Sequence, residues 1–248
     1  LVRKATPREV IMLNNQAPEP RIHNKNVLQV HSIFYTIQGE GPFCGKPALF
    51  IRLAGCVIQC PGCDTDYTSR RKHYHVQDLI AHCQRTMYKG GLIVITGGEP
   101  FRQDLSLFIP ELTKRGFIVQ VETNGMVPPS QGVHFSTDLH QPQGKAYIVC
   151  SPKDKVINEQ ILRACCCLKY VMGAEDVGED GLPNTVLGRR LKGIIARPPS
   201  WFQRPIYLQP MDEKDDEKNA RNIQACIQSC MEKGYTLQLQ IHKYLNLE

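Results

Sequence analysis

Three cysteines lie close together in the run Ala-Gly-Cys56-Val-Ile-Gln-Cys60-Pro-Gly-Cys63-Asp-Thr, separated by three residues and then by two. Thiolates are the ligands that iron–sulfur clusters take, and a 4Fe-4S cluster held entirely by a protein needs four of them. Three cysteines leave one iron free to coordinate a substrate or cofactor. The spacing therefore predicts a 4Fe-4S cluster bound by Cys56, Cys60 and Cys63, with one open iron.

The alternative for this triplet is a zinc site or a set of buried thiols. A structural zinc site usually takes four ligands in two close pairs, and no second pair at ligand spacing follows in the sequence. Residues 165–167 are consecutive cysteines whose side chains diverge, so they cannot jointly hold one metal. Cys226 and Cys230 share a predicted helix face with Ile223 and Ile227, which favours core packing.

Length, charge and cysteine content are typical of an intracellular enzyme. The chain of 248 residues can bury a sizeable core as one domain, and its formal net charge of +6 is modest. The basic residues are scattered apart from two short runs at 70–73 and 189–192, so we expect no nucleic-acid partner. We also expect no membrane span, because no apolar run approaches the ~20 residues required. Eleven cysteines without a secretory segment predict a reducing, cytoplasmic location.

Predicted strands alternate with predicted helices from about residue 28 onward, whereas residues 1–27 are polar and read as a flexible extension. The helices cover about 76–87, 105–112 and 214–233, and the last two stop at Gly116 and Gly234. This alternation predicts an α/β domain over 28–248 with a mostly parallel sheet. The predicted strands are 27–34, 48–53, 92–96, 117–122, 133–136, 146–150, 168–172, 205–209 and 236–242.

Polar motifs follow the predicted strands at their carboxyl ends, which is where α/β barrels gather their chemistry. In the last strand, Gln238, Gln240 and His242 fall on one face, which fits either a barrel lumen or the wet face of an edge strand. The motifs at the other strand ends are the Cys loop and residues 96–100, 122–125, 151–153 and 209–212.

At these residues the chain resembles a known family. The Cys triplet and the Gly-Gly-Glu-Pro motif at 97–100 are similar to those of the radical S-adenosylmethionine superfamily. Thr-Ile-Gln-Gly-Glu-Gly-Pro at 36–42 and Gln-Ile-His-Lys-Tyr-Leu-Asn at 240–246 resemble the terminal motifs of the 7-carboxy-7-deazaguanine synthases. Phe-Ile-Arg-Leu-Ala-Gly-Cys at 50–56 and Cys-Asp-Thr at 63–65 resemble the family's entry to and exit from the cluster loop. The likeness covers about 30–248, apart from 176–201.

The resemblance implies a partial (βα) barrel of the radical S-adenosylmethionine type and a lyase reaction. In that family 6-carboxy-5,6,7,8-tetrahydropterin is contracted to 7-carboxy-7-deazaguanine with loss of ammonia, in the deazapurine (queuosine) pathway. S-adenosylmethionine, bound to the open iron and cleaved to a 5′-deoxyadenosyl radical, serves as a regenerated cofactor. Mg²⁺, an electron donor such as flavodoxin or ferredoxin, and a homodimer are implied as well.

The resemblance also implies roles for particular residues, with no catalytic side chain beyond the cluster and the adenosyl radical. Thr65 would bind Mg²⁺, with water and substrate oxygens completing the octahedron. The expected substrate-binding residues are Gln38, Gly39, Glu40, Arg52, Thr96, His242 and Glu248. The expected cofactor-binding residues are Gly97, Gly98, Glu99, Glu122, Ser151, Pro152, Lys153, Gln209, Pro210, Met211 and Asp212.

Several of these residues also have ordinary structural interpretations. Gln38 and Glu40 can read the donor and acceptor edge of a pterin, and the planar fork of Arg52 suits the substrate carboxylate. Arg52 would otherwise be a surface ion pair and Glu40 a turn residue. Glu248 would offer its free α-carboxylate to the substrate, or else be a frayed, solvated terminus.

Two other functions share features of this sequence. A glycyl-radical activating enzyme has a similar length and the same cysteine spacing, but it must dock a large protein partner. A zinc-binding interaction module would need no cleavage of S-adenosylmethionine. The two terminal motifs argue against the first, and iron and sulfide stoichiometry would test the second.

Overall fold

The computed structural model describes residues 15–187 and 193–247, and within them one sheet of nine strands has the order β3-β1-β2-β4-β5-β6-β7-β8-β9. The strands are β1 (Val27–Ile37), β2 (Pro47–Leu53), β3 (Lys72–His75), β4 (Leu92–Gly97), β5 (Ile118–Thr123), β6 (Ala146–Cys150), β7 (Cys165–Met172), β8 (Ile206–Pro210) and β9 (Thr236–Leu237). The helices are α1 (Val76–Thr86), α2 (Phe108–Lys114), α3 (Glu159–Ala164), α4 (Asp216–Lys233) and α5 (Ile241–Tyr244).

The sheet is parallel from β2 through β4 to β9, while β1 runs antiparallel to β2 and β3 antiparallel to β1. Its outer face packs in one core with α1, α2 and α3, through residues such as Ile95, Leu79 and Leu112. The edge strands β3 and β9 do not pair with each other. The predicted α/β partial barrel is therefore confirmed.

The inner face of the sheet changes from apolar to polar along the strands. Near the amino ends it forms a second core around Phe43, Val94 and Tyr147, and Phe43 lies in a short 3-10 turn that closes this end. Because side chains alternate along a strand, the same rows end in polar residues at the carboxyl ends. These inward polar residues are Arg52, Thr96, Glu122, Lys169 and Gln209.

The prediction of a strand over 236–242 was wrong. Only Thr236–Leu237 pairs with β8, and α5 begins at Ile241. β9 lies at the sheet edge, but Gln238, just after it, is only 6% exposed. The polar residues of this segment therefore belong neither to a solvent-exposed edge strand nor to a continuous strand that lines the lumen. Its side chain bonds to the backbone of Gly41, and this tertiary contact overrides the strand pattern.

Other segments also differ from the prediction. No strand forms over 133–136, because Val133 and Phe135 pack on the core from a loop. β7 begins at Cys165, three residues before its predicted start at 168, and β3 and α3 were not predicted. Residues 165–167 and Cys226 are buried in the core, as expected.

Of the extension expected over 1–27, the structure describes residues from 15 onward, and these run beside the Cys loop. Residues 1–14, 188–192 and Glu248 are outside the described residues. The predicted role of Glu248 and the basic run at 189–192 therefore lie there. Among the helices that the structure describes, none has both the length and the apolar character needed to cross a membrane.

Candidate active site at the carboxyl edge of the barrel

The three cysteines of the triplet lie in the loop that follows β2. Cys56 and Cys60 are each 6% exposed, and Cys63 is partly buried. Burial raises the pKa of the Cys56 thiol to about 12 and that of Cys63 to about 11, because a low-dielectric site disfavours a thiolate. Three soft donors that need nearby positive charge to ionise fit the irons of a cluster.

The turn after β4 packs directly on the Cys loop. A Cβ on Gly98 would lie 2.2 Å from the carbonyl oxygen of Gly55 and 2.8 Å from the Cβ of Cys56. Gly97 has φ +145, and a Cβ there would lie 2.2 Å from the carbonyl oxygen of Leu53. Only glycine fits at both positions, so the expected cofactor loop is held in backbone contact with the loop that carries the cysteines.

Glu99 is fully buried behind this turn. Its carboxylate accepts hydrogen bonds from Thr123 Oγ1 at 2.7 Å, from the amide of Asn124 at 2.8 Å and from the amide of Phe101 at 3.0 Å. Burial raises the pKa of Glu99 to about 7 despite these bonds. Glu99 thus joins the ends of β4 and β5, and its expected contact with the cofactor stays a prediction.

Glu122 is the centre of a hydrogen-bond cluster on the inner face. Its carboxylate accepts from Gln38 Nε2 at 3.0 Å, from Thr96 Oγ1 at 3.1 Å and from Gln120 Nε2 at 2.9 Å. The cluster brings together three residues predicted for the site from three different segments, namely Gln38, Thr96 and Glu122. Gln120 was not predicted, and its Oε1 is buried without a hydrogen-bond partner.

Glu40 forms an ion pair with Lys169 of β7 and accepts a hydrogen bond from Gln240 Nε2 at 2.5 Å. Burial would raise the pKa of Glu40, but the Lys169 ammonium outweighs it and holds that pKa below its usual value. Burial likewise opposes the charge on Lys169, but Glu40 and then Glu122 raise its pKa above the usual value. Glu40 is thus a charged acceptor inside the barrel and more than a turn residue.

The carboxyl-terminal segment docks on the loop after β1. Gln238 accepts from the amide of Gly41 at 2.6 Å and donates to its carbonyl oxygen at 3.1 Å. A Cβ on Gly39 would lie 1.9 Å from Nδ1 of His242, so the imidazole rests on that glycine. Burial lowers the pKa of His242, which favours the neutral ring. The two terminal motifs of the sequence therefore meet.

The guanidinium of Arg52 is in van der Waals and cation–π contact with Phe34, its Cζ lying 5.4 Å from the ring centroid. Its Nε is buried and has no hydrogen-bond partner, and no carboxylate pairs with Arg52 among the described residues. The surface ion-pair alternative is therefore wrong. A desolvated guanidinium without a counterion suits a ligand carboxylate.

The residues after β6 and β8 occupy two further places on the rim. Lys153 donates to Ser151 Oγ at 2.7 Å, beside the buried Pro152. Burial lowers the pKa of Lys153, whereas the nearby Cys60 raises it. Gln209 is buried with Oε1 unpartnered. Beyond it, Pro210, Met211 and Asp212 line a cavity of about 280 Å³ between β8, α4 and α5.

Thr65, the residue predicted to bind Mg²⁺, lies just after the cysteine triplet. The hydroxyl of Thr65 donates to Asp64 Oδ1 at 3.2 Å. Within 15–187 and 193–247, no group of three or more His, Cys, Asp or Glu side chains is arranged to hold a single metal ion. The cysteine ligands of a cubane bind different irons, so they need not converge on one point.

Lys169 and Gln238 were missed as functional candidates. Lys169 is the one charged residue in the strand Cys-Cys-Cys-Leu-Lys-Tyr-Val-Met, and a lysine in an otherwise apolar buried strand was the available signal. The sequence placed Gln238 on the polar face of the last predicted strand but gave it no role in the site. Its bonds to Gly41 span 197 residues and leave no local signature.

The curved parallel sheet, the Cys loop and the Gly-Gly-Glu-Pro turn define the partial barrel of radical S-adenosylmethionine enzymes. No family model matches the chain. It is 34% identical over 242 residues to the 7-carboxy-7-deazaguanine synthase of Rhodospirillum rubrum, covering 94% of this chain and 98% of that protein. To the synthase of Escherichia coli K12 it is 31% identical, over 88% of this chain and 98% of the relative.

A solved structure agrees with these relatives. The crystal structure of QueE from Escherichia coli superposes with a TM-score of 0.62 at 26% identity, over 86% of this chain and 93% of that one. The chain therefore belongs to the 7-carboxy-7-deazaguanine synthase family. The comparisons favour neither a glycyl-radical activating enzyme nor a zinc-binding module.

Proposed function

We propose that this protein is a radical S-adenosylmethionine lyase that converts 6-carboxy-5,6,7,8-tetrahydropterin to 7-carboxy-7-deazaguanine with loss of ammonia. Membership of the synthase family supports the reaction. The observation that carries it is the meeting of the two terminal motifs, in which Gln240 and His242 contact Glu40 and Gly39 at the inner face of the barrel. These are the segments that separate this family from other members of the superfamily.

Cys56, Cys60 and Cys63 would hold a 4Fe-4S cluster, which with S-adenosylmethionine supplies a one-electron cleavage that generates an adenosyl radical. The protein's own contribution is to hold the cofactor rigidly and to keep water away. The backbone of Gly97 and Gly98 lies against the Cys loop and offers unhindered polar groups to the methionine end of the cofactor. The expected adenosyl contacts are Ser151, Pro152, Lys153, Gln209, Pro210, Met211 and Asp212.

The inner face offers complementary groups for the two ends of the substrate. Arg52 has an unmatched positive charge and donors for the carboxylate. Glu40 and Glu122 are acceptors for the amino and ring N–H groups of the pyrimidine, and Gln38 holds Glu122 in place. His242, neutral when buried, can donate one hydrogen bond to the substrate.

This arrangement orients the reacting ring rather than transferring protons to it. Carboxylates held by Lys169 and by side-chain amide donors keep one fixed geometry, which reduces the entropy lost when the substrate is bound for reaction. The side chains of Glu40 and Lys169 are 12% and 9% exposed, so bulk water has little access to this pair. We therefore assign no general acid or base among the described side chains.

Further parts of the proposal rest on the family resemblance alone. Thr65 would help bind Mg²⁺ together with water and substrate oxygens. A flavodoxin or ferredoxin would supply the electron, the enzyme would form a homodimer, and it would act in the cytoplasm. Glu248 would contribute to the pterin pocket.

The decisive experiment is anaerobic reconstitution followed by assay. The purified protein should bind four irons and four sulfides, and the reduced enzyme incubated with S-adenosylmethionine and 6-carboxy-5,6,7,8-tetrahydropterin should form the deazapurine, detected by mass spectrometry. Zinc at unit stoichiometry with no iron would support the interaction module instead. A glycyl radical formed on a partner protein, with no deazapurine, would support the activating enzyme.

A further inference from the structure

A segment outside every family motif lies across the Cys loop. The amide of Glu19 donates to the carbonyl oxygen of Cys56 at 2.7 Å. The side chain of Gln16 donates to the carbonyl oxygen of Thr65 at 2.9 Å and accepts from the amide of Tyr67 at 2.8 Å. Residues 16–22 therefore bind both the entry and the exit of the loop that carries the three cysteines.

The carboxylate of Glu19 is also the counterion of two arginines. It pairs with Arg71, just past the loop, and with Arg102, in the turn after β4. Arg102 is 2% exposed and donates from Nη1 to the carbonyl oxygen of Ala54 at 3.2 Å. Its guanidinium covers Gly55, where a Cβ would lie 2.6 Å from Cζ. Glu19 thus links the Cys loop to the Gly-Gly-Glu-Pro turn.

The Cys loop has little regular structure of its own. Between β2 and β3 its described backbone bonds include one short turn, from the amide of Cys63 to the carbonyl oxygen of Cys60 at 3.1 Å. Other bonds come from outside the cysteine triplet, such as that from the amide of Gly62 to the carbonyl oxygen of Leu187 at 2.9 Å. The bond from the amide of Gly55 to the carbonyl oxygen of Tyr67 at 2.9 Å closes the base of the loop, and the segments packed on the loop then help to position the cysteines.

We propose that residues 16–22 form a strap that positions the cluster-bearing loop, with Gln16 and Glu19 as its positioning residues. The proposal rests on the proposed function only for the identity of the group that the loop holds. Pro18 and Pro20 favour an extended chain, which suits a strap that makes contacts along its length. A loop ordered in advance loses less conformational entropy when its thiolates take up a cluster.

The test compares two strap variants with two matched controls. Glu19→Gln removes the charge between two arginines. Gln16→Ala removes side-chain hydrogen bonds to Thr65 and Tyr67 without removing a charge, so it is the test variant if Glu19→Gln does not fold. Glu159→Gln breaks an exposed glutamate–arginine pair with Arg163, and Gln228→Ala breaks an exposed bond to Glu232. All four are made in the full chain.

The first measurement is hydrogen–deuterium exchange of the metal-free protein. Peptides covering 55–68 should exchange about fivefold faster or more in both strap variants, because Gln16→Ala loses side-chain hydrogen bonds to that loop and Glu19→Gln loses the ion pairs with Arg71 and Arg102 that anchor the strap. Peptides from α4 should be unchanged, which separates local loosening from global destabilisation. Parent-like exchange over 55–68 in Gln16→Ala and in a folded Glu19→Gln would overturn the strap.

The second measurement is the rate at which a chelator removes iron from the reconstituted protein. The strap variants should lose iron about fivefold faster than the parent, and the controls should match the parent. A parent protein that binds no iron would contradict the proposed function. The exchange measurement on the metal-free protein would still test whether the strap orders the loop. Equal iron release in all variants, with iron bound, would also overturn it.

Discussion

The carboxylate of Glu40 and the ammonium of Lys169 form an ion pair on the inner face of the barrel, although the two residues are 129 positions apart in the sequence. Their side chains are 12% and 9% exposed. A pair this well desolvated is costly to break from one side, because the remaining charge is left without a partner. Glu40 belongs to a family motif, whereas Lys169 does not, so the pair shows what holds the motif residue in its ionised form.

Changing Lys169 to Met should destabilise the protein by about 3 to 5 kcal/mol and raise the substrate KM at least tenfold. The reason is that Glu40 and Glu122 lose their nearby cation and the pKa of Glu40 rises. Denaturant unfolding and steady-state kinetics measure the two effects. Lys145→Met, which removes an exposed pair with Asp138, is the control. An unchanged KM in a folded Lys169→Met enzyme would contradict the assigned role.

Replacing any of Cys56, Cys60 or Cys63 by Ala should abolish both iron incorporation and turnover. Two thiolates cannot hold a cubane rigidly with one iron open. Iron content after anaerobic reconstitution is the measurement. Cys226→Ala and Cys166→Ala, at buried core positions, should retain iron. A triplet variant with full activity would refute the cluster.

Gly39→Ala should displace His242, because the new Cβ would lie 1.9 Å from its Nδ1. We expect the substrate KM to rise at least tenfold while binding of S-adenosylmethionine is unchanged, and His242→Ala to have a similar effect. Calorimetric titration with each ligand separates the two constants. Gly132→Ala, where nothing lies within 4 Å of the new Cβ, is the control for adding a methyl group without a contact, and its φ of +75 makes it the more demanding backbone change. Tight pterin binding by both site variants would place His242 outside the pocket.

Thr65→Ala should weaken the dependence of activity on Mg²⁺ and raise the substrate KM, with the absorbance of the cluster unchanged. A hydroxyl is one weak ligand among water and substrate oxygens, so the effect should be partial. Activity titrated with Mg²⁺ provides the comparison, and Thr86→Ala, at an exposed position of α1, is the control. Identical titrations for Thr65→Ala and the parent would reject the metal role.

The stability contribution of Asp212 should depend on pH in the acid range. Burial raises its pKa, but the hydrogen bonds from Lys243, Lys214 and Asn219 and the charge of Lys243 together outweigh burial, so the pKa lies below its usual value. A depressed carboxyl pKa contributes stability above the unfolded value of about 4, and that contribution is lost as the pH falls further. The difference in unfolding free energy between the parent and Asp212→Asn should therefore be constant from pH 7 to about 5 and shrink by pH 3. A difference that grows on acidification would contradict this.

The local chemistry of the site is readable in the sequence. Cysteine spacing, the paired glycines and the alternation of apolar runs are short-range patterns, and each acts through backbone geometry within a few residues. They predicted the Cys loop, the helices over 76–87 and 214–233 and an α/β domain with a mostly parallel sheet, while the partial barrel was implied by the family resemblance. The strand ends that carry Thr96, Glu122 and Gln209 were predicted to within a residue or two.

Only the tertiary structure decided which residues meet across the barrel. Lys169 with Glu40, Gln238 with Gly41 and Glu19 with Arg102 are contacts between distant segments, and no local pattern encodes them. The contact between Gln238 and Gly41 also lies where the last strand ends after Leu237, because the buried Gln238 side chain bonds to another loop instead of to a neighbouring strand. Burial then determined which charges persist, because a side chain keeps its charge in a desolvated site only where folding brings a partner to it.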